Sequence, residues 1–220
     1  MKNTILLFIA FTIASISFAQ QPSFGVRAGY VSSGMRGEAV NNFKNLLDFT
    51  DGMITTSNHS GFFAGGYASI PVGEIVSIEP GLYYSQKGYD VKGTLKGKGV
   101  ELLGVNAGAK LTSQYIDLPV LIKANISGFQ VFAGPQVSYL AKSDLRTTAG
   151  VLGFNLLNTK MDATEQFNRW DVGLTGGVGY QFANGVNISA AYDHGLSKVD
   201  ANQNFDSYNR AFKVGVGVTF

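Results

Sequence analysis

The chain ends Phe212-Lys213-Val214-Gly215-Val216-Gly217-Val218-Thr219-Phe220. Phe212, Val214, Val216, Val218 and Phe220 occupy one phase, and Lys213, Gly215, Gly217 and Thr219 the other. Strict alternation places the two sets on opposite faces of a strand, because side chains alternate along an extended backbone. Moving inward from the end, Trp170 to Phe182 sets Trp170, Val172, Leu174, Val178, Tyr180 and Phe182 against Asp171, Gly173, Thr175, Gly177, Gly179 and Gln181. Val186 to Ser197 repeats the pattern, and weaker versions run at 24–31, 61–70, 75–89, 112–124 and 129–141. The period-two segments number eight.

Their connections alternate in length. Pro71-Val72-Gly73-Glu74, Asn125-Ile126-Ser127-Gly128 and Ala183-Asn184-Gly185 are short, the last with a hairpin signal. The connections at about 32–60, 90–111, 142–167 and 198–208 are long. Short turns at one end and long loops at the other are the layout of an outer-membrane barrel, with both mature termini on the short-turn side. The expected fold is therefore all-β: an eight-stranded antiparallel up-and-down transmembrane β-barrel.

The faces carry further signals. Aromatics of the apolar phase gather at two levels. Tyr30, Tyr84, Tyr139, Trp170, Tyr192 and Phe212 lie near the long loops, and Phe24, Phe129, Phe182 and Phe220 near the short turns. Two such levels are the girdles expected where an apolar band meets headgroups. Aromatics are read as lipid-facing on this account. The other phase is mostly Gly, Ser, Thr, Asn and Gln, which suits the cramped interior of a small barrel and not the Lys/Glu-rich exterior of a soluble one. Its charged residues are Arg27, Glu79, Lys87, Asp117, Lys123, Asp171, Asp193 and Lys213, four of each sign. Charges inside a barrel must be paired or wet. An internal ion-pair network is expected, with Asp193 and Lys213 the favoured pair.

Composition agrees. The 220 residues include 28 Gly, 16 Phe and 10 Tyr but no Cys, and 15% are charged, against about 25% in a soluble domain. The net charge is +2, and no Lys/Arg cluster suggests a nucleic-acid surface. Lys2, an apolar run from Ile5 to Ile16, and Ser17-Phe18-Ala19 form the pattern of a cleaved signal peptide over residues 1–19, leaving 20–220 as the barrel domain. Export to a cell outer membrane, with periplasmic termini, is expected.

Gly61-Phe62-Phe63-Ala64-Gly65, Glu79-Pro80-Gly81-Leu82-Tyr83-Tyr84-Ser85-Gln86-Lys87-Gly88, Tyr115-Ile116-Asp117-Leu118-Pro119-Val120-Leu121-Ile122-Lys123, and Phe132-Ala133-Gly134-Pro135-Gln136, in this order, resemble the PorT-like outer-membrane β-barrel family. The resemblance implies an eight-stranded barrel of OmpA/OmpX-like architecture in a Gram-negative outer membrane. One member of that family takes part in a protein secretion system.

No catalytic, metal or cofactor residue is assigned. His194 falls on the lipid-facing phase, but Ser197 falls on the opposite one, so no acyl-transfer dyad forms; His59 sits in a loop with no partner in view. With no Cys and two separated His, no metal site is expected. The expected surroundings are outer-membrane lipid, with the chain a monomer. Loops 32–60 and 142–167 are the expected sites of any protein or surface ligand. The first holds Val40, Phe43, Leu46 and Leu47 at helical spacing within Glu38–Phe49; the second has the apolar run Val151–Leu157, which a hairpin standing above the membrane would explain. A structural or surface-binding role is the expected function. A small-solute channel, a secretion accessory and, least favoured, a lipid-modifying enzyme are the alternatives.

Overall fold

A computed structural model describes residues 21–38, 40, 54–94, 106–151, 154–202 and 206–220. Nine strands follow in chain order: β1 (Ser23–Arg36), β2 (Ile54–Pro71), β3 (Val76–Thr94), β4 (Asn106–Ile126), β5 (Phe129–Val151), β6 (Phe154–Asp162), β7 (Trp170–Gln181), β8 (Val186–Lys198) and β9 (Tyr208–Thr219). Eight close into an antiparallel ring, β1-β2-β3-β4-β5-β7-β8-β9, with β9 returning to β1 from Gly25↔Thr219 to Arg36↔Tyr208. Closure leaves no unpaired edge around the ring, which lipid demands. β6 stands outside it, paired to the far half of β5.

The short turns gather at one end. Between β4 and β5 the turn is Ser127-Gly128, with φ of 52° and 90°. Both values lie in the left-handed region that a tight hairpin needs, and the Gly128 N–H is further held by Asn125 Oδ1 at 3.0 Å. β1 begins and β9 ends at this level: the Phe24 and Phe220 backbones exchange hydrogen bonds of 3.0 and 2.8 Å.

At the other end the structure departs from the expected loops. β2 starts at Ile54, β3 runs to Thr94, β4 starts at Asn106, and β5 runs to Val151 before β6 returns. Much of 32–60, 90–111 and 142–167 is therefore strand, and β5 and β6 pair as the hairpin that the Val151–Leu157 run suggested. The reason is physical. Above the lipid the outward face meets water, so polar and apolar phases are no longer required to separate. Backbone pairing continues, as in Tyr89↔Leu111 and Val91↔Ala109, while the sequence signal fades. β7 to β9 span 12 or 13 residues against 23 for β5, so the added wall rises on one side of the mouth. The helix expected at 38–49 falls almost wholly outside the described residues.

The outer surface is apolar, with Val26, Leu82, Ile122, Val131, Val178 and Val216 all exposed. The aromatics assigned to the two levels project from this face, except that Tyr84 is half-buried against Phe62, 5.6 Å between ring centres. Trp170 packs on Tyr139 at 5.0 Å.

Candidate functional site

The barrel interior is a polar column. Alternation brings Arg27 inward from β1, Glu79 and Lys87 from β3, Asp117 and Lys123 from β4, Asp171 from β7, Asp193 from β8 and Lys213 from β9; all eight are buried. Seven of them form two layers, and Asp171 stands above.

Nearer the short turns, Arg27 Nη1 donates to Glu79 Oε1 at 3.2 Å and Arg27 Nε to Asn187 Oδ1 at 3.3 Å. Lys123 Nζ donates to the second Glu79 oxygen. One carboxylate thus holds two cations. Nearer the mouth, Asp117 accepts from Lys87 at 3.0 Å, Lys213 at 3.1 Å and Ser85 at 2.7 Å. Asp193 completes this layer, 2.6 Å from Lys213 and 4.0 Å from Lys87. Asp193 and Lys213, the pair favoured from sequence, do meet. Asp171 sits above them. Asn209 donates to its Oδ2 at 2.8 Å, while Oδ1 is buried without a partner. Among the described residues Asp171 makes no ion pair.

Aromatics line this interior too, which corrects their assignment to the lipid face alone. Phe63, Tyr67, Tyr83, Tyr115 and Phe132 are buried on the inward phase. Each of the four inner cations lies over such a ring: Arg27 and Lys123 over Tyr67 at 4.5 and 5.5 Å, Lys87 over Tyr115 at 5.0 Å, and Lys213 over Phe63 at 5.7 Å. A ring face attracts a cation most strongly when both are desolvated. Glycines make the room. A Cβ on Gly25 would lie 2.4 Å from Tyr67, one on Gly215 2.6 Å from Phe63, and one on Gly177 2.7 Å from Phe132. A signal for two of these rings, Phe63 and Tyr83, exists in the doublets Phe62-Phe63 and Tyr83-Tyr84, because adjacent strand residues face opposite ways.

Between the layers a cavity of about 40 Å³ lies against Arg27, Tyr83, Phe132 and Lys213. A second, beside Asp171 and Asp193, measures about 10 Å³. Each has room for one or a few waters.

The histidines differ from each other. His59 is not a partnerless loop residue: it is buried in β2, its Nδ1 2.8 Å from Asp90 Oδ1. The continuation of β2 and β3 above the lipid creates that contact. His194 lies beside Tyr192, 6.1 Å between ring centres, whereas Ser197 Oγ accepts the Val172 backbone N–H at 2.9 Å.

The family model described as outer membrane protein beta-barrel domain matches residues 14–201. Among solved structures, the chain is similar to Neisserial surface protein A, at 14% identity and TM-score 0.42, covering 91% of this chain and 100% of that one. It is similar to Ail, the attachment invasion locus protein of Yersinia pestis, at 14% identity and TM-score 0.41, covering 91% and 100%. The outer membrane protein OprG from Pseudomonas aeruginosa stands at 15% identity and TM-score 0.41, covering 91% and 97%. No curated protein matches the chain.

Proposed function

The chain belongs to the outer membrane protein beta-barrel domain family, and from that premise we propose that it is a closed membrane anchor whose work is binding at the cell surface. The observation that carries this reading is the contrast between the two ends of the ring. Within the lipid span, paired charges and rings fill the interior. Above it, β2 to β6 continue as a sheet that the membrane does not need. An eight-stranded ring is just wide enough for side chains to fill. The filling here is ion-paired, so displacing it strands charges in a dry interior, and a permeation path is disfavoured.

On this reading a cleaved leader over residues 1–19 exports the protein, its termini face the periplasm, and the extended sheet with its loops faces outward. The protein acts as a monomer in outer-membrane lipid, without catalysis. The finer PorT-like kinship rests on the Glu79–Gly88 and Tyr115–Lys123 runs, and a secretion-accessory role is the alternative to surface binding, not a consequence of that kinship.

The test has two arms. Purified protein in planar bilayers is expected to be silent, and discrete conductance steps would reject the closed anchor. Crosslinkers placed at Leu157 and Lys160 of intact cells are expected to capture a defined surface ligand. Capture of nothing beyond lipopolysaccharide would reject surface binding.

A further inference from the structure

Above the lipid, β3 to β6 present two faces. The inner one carries Tyr89, Leu111, Leu145 and Met161, each opposite the next across the strands. The outer one continues the lipid-facing phase upward. On β4, Ile116 leads to Gln114, Thr112 and Lys110. On β5, Tyr139 leads to Lys142, Asp144 and Arg146, past the irregularity beside Gln114 that absorbs Ala141. On this outer face Lys110 is opposite Arg146, and Arg146 is opposite Lys160. All three are exposed. Cations side by side on three adjacent strands oppose the stability of the sheet, since like charges directly opposite repel. No run of Lys and Arg in the sequence announces them; register alone assembles the row.

The acids nearby do not neutralise it. Asp144 is shared between Lys142 at 3.4 Å and Lys160 at 3.1 Å. Asp90, opposite Lys110, lies 2.8 Å from His59 Nδ1. Asp162, opposite Asp144, accepts the Thr164 backbone N–H. Among the described residues neither Lys110 nor Arg146 has an ion-pair partner. Lys142 and Arg169, both exposed, add positive charge nearer the lipid, Arg169 next to Trp170.

Height says which anion this face meets. Arg146 lies seven residues beyond Tyr139 of the aromatic level. At about 3.3 Å per residue and a strand tilt of about 40°, the row stands roughly 15 Å above that level. Phospholipid head groups lie at the aromatic level itself, below the row. Phosphates carried on a saccharide head group reach it. The face is continuous with the lipid-facing wall and looks sideways into that head-group layer.

We propose that the outer face of β4 to β6 binds the phosphorylated saccharide head group of a glycolipid in the surrounding outer leaflet, with Lys110, Arg146 and Lys160 holding its phosphates. An Arg between two Lys supplies a bidentate fork flanked by point charges, and the bound phosphates remove the repulsion within the row. The proposal goes beyond surface binding, which needs a ligand other than this lipid, so either can fail alone.

The test titrates the full-length barrel in detergent micelles and counts bound lipid by native mass spectrometry. The lipids are a short-chain lipopolysaccharide, the same lipid stripped of its phosphates, and phosphatidylglycerol. Removing the phosphates is expected to weaken binding at least about tenfold, the value of a charge-assisted hydrogen bond. The Lys110→Gln, Arg146→Gln double variant is expected to lose at least about tenfold for the phosphorylated lipid and nothing for phosphatidylglycerol. It keeps the heat-modifiable band, and without glycolipid it is no less stable than the parent, because it removes two like charges held opposite each other. Arg146→Lys keeps the charge but not the fork and falls between parent and double variant. Lys198→Gln, on β8, leaves the affinity unchanged. Parent affinity in the double variant overturns the proposal. So does an equal loss for phosphatidylglycerol, which would mean attraction to any anionic lipid, and so does equal binding of the phosphate-stripped lipid.

Discussion

Asp117→Asn is the sharpest perturbation of the interior. Asp117 is wholly buried and accepts from Lys87, Lys213 and Ser85 at 3.0, 3.1 and 2.7 Å. The substitution keeps the shape and removes the charge. Lys213 retains Asp193 at 2.6 Å, but Lys87 retains only the same carboxylate at 4.0 Å. The mouth-side layer then holds two cations against one tightly placed anion. Leaving a buried charge without its partner costs about 3–5 kcal/mol, against a total stability of about 5–15 kcal/mol for an ordinary domain. The Lys87→Met, Asp117→Asn double variant removes the stranded ammonium and is expected to regain most of the loss, to within about 2 kcal/mol of the parent. Asp171→Asn is the control: Asp171 has a hydrogen bond from Asn209 but no ion pair, so its loss is expected to stay below about 1.5 kcal/mol. Urea unfolding in lipid vesicles, followed by Trp170 fluorescence and by heat-modifiable gel migration, measures all three; Trp170 is the single tryptophan. If Asp117→Asn costs less than the control, or the double variant is as damaged as the single one, the layer does not hold the barrel as argued.

Three further outcomes follow from the same geometry. Gly29→Val is expected to abolish the heat-modifiable band, since a Cβ there would sit 2.0 Å from the Val214 carbonyl oxygen. Gly176→Ala, whose nearest neighbour is 3.9 Å away, is expected to assemble normally. Val216→Arg puts a charge on the lipid face and is expected to cost about 2–4 kcal/mol in vesicle unfolding; a cost near zero would mean that Val216 does not meet hydrocarbon. At the mouth, hydrogen bonds from the Thr164 side chain and backbone hold the Asp162 carboxyl below its usual range. A lowered folded value means the contribution is present above the unfolded value of about 3.9 and is lost as pH falls through the folded one. Hydrogen exchange of the Thr164 amide should therefore accelerate below about pH 4 in the parent and show no such step in Asp162→Asn.

Much of this was legible in the sequence because strand alternation is local. The Val214–Phe220 run reads as one lipid face and one lumen face without knowledge of any neighbour. The inward phase named the eight charges of the column before any strand was paired, though not Asp144, which is buried where β5 continues beyond them. The doublets Phe62-Phe63 and Tyr83-Tyr84 carried two of the five inner rings as well, but an aromatic on a polar phase is ambiguous until the glycine opposite it is known. The row Tyr89-Leu111-Leu145-Met161 was not legible. Its members are spread over four strands, in stretches where alternation no longer separates water from lipid.

The sequence by itself therefore determined the eight ring strands within the lipid span, their faces and the short turns, because each depends on residues within one or two positions of each other. The tertiary structure decided which charges meet and where the cavities lie. Arg27 and Asn187 are 160 positions apart, and Asp117 and Lys213 are 96 apart. Strand stagger and ring closure bring them together, and a one-residue slip in register would turn each to the opposite face.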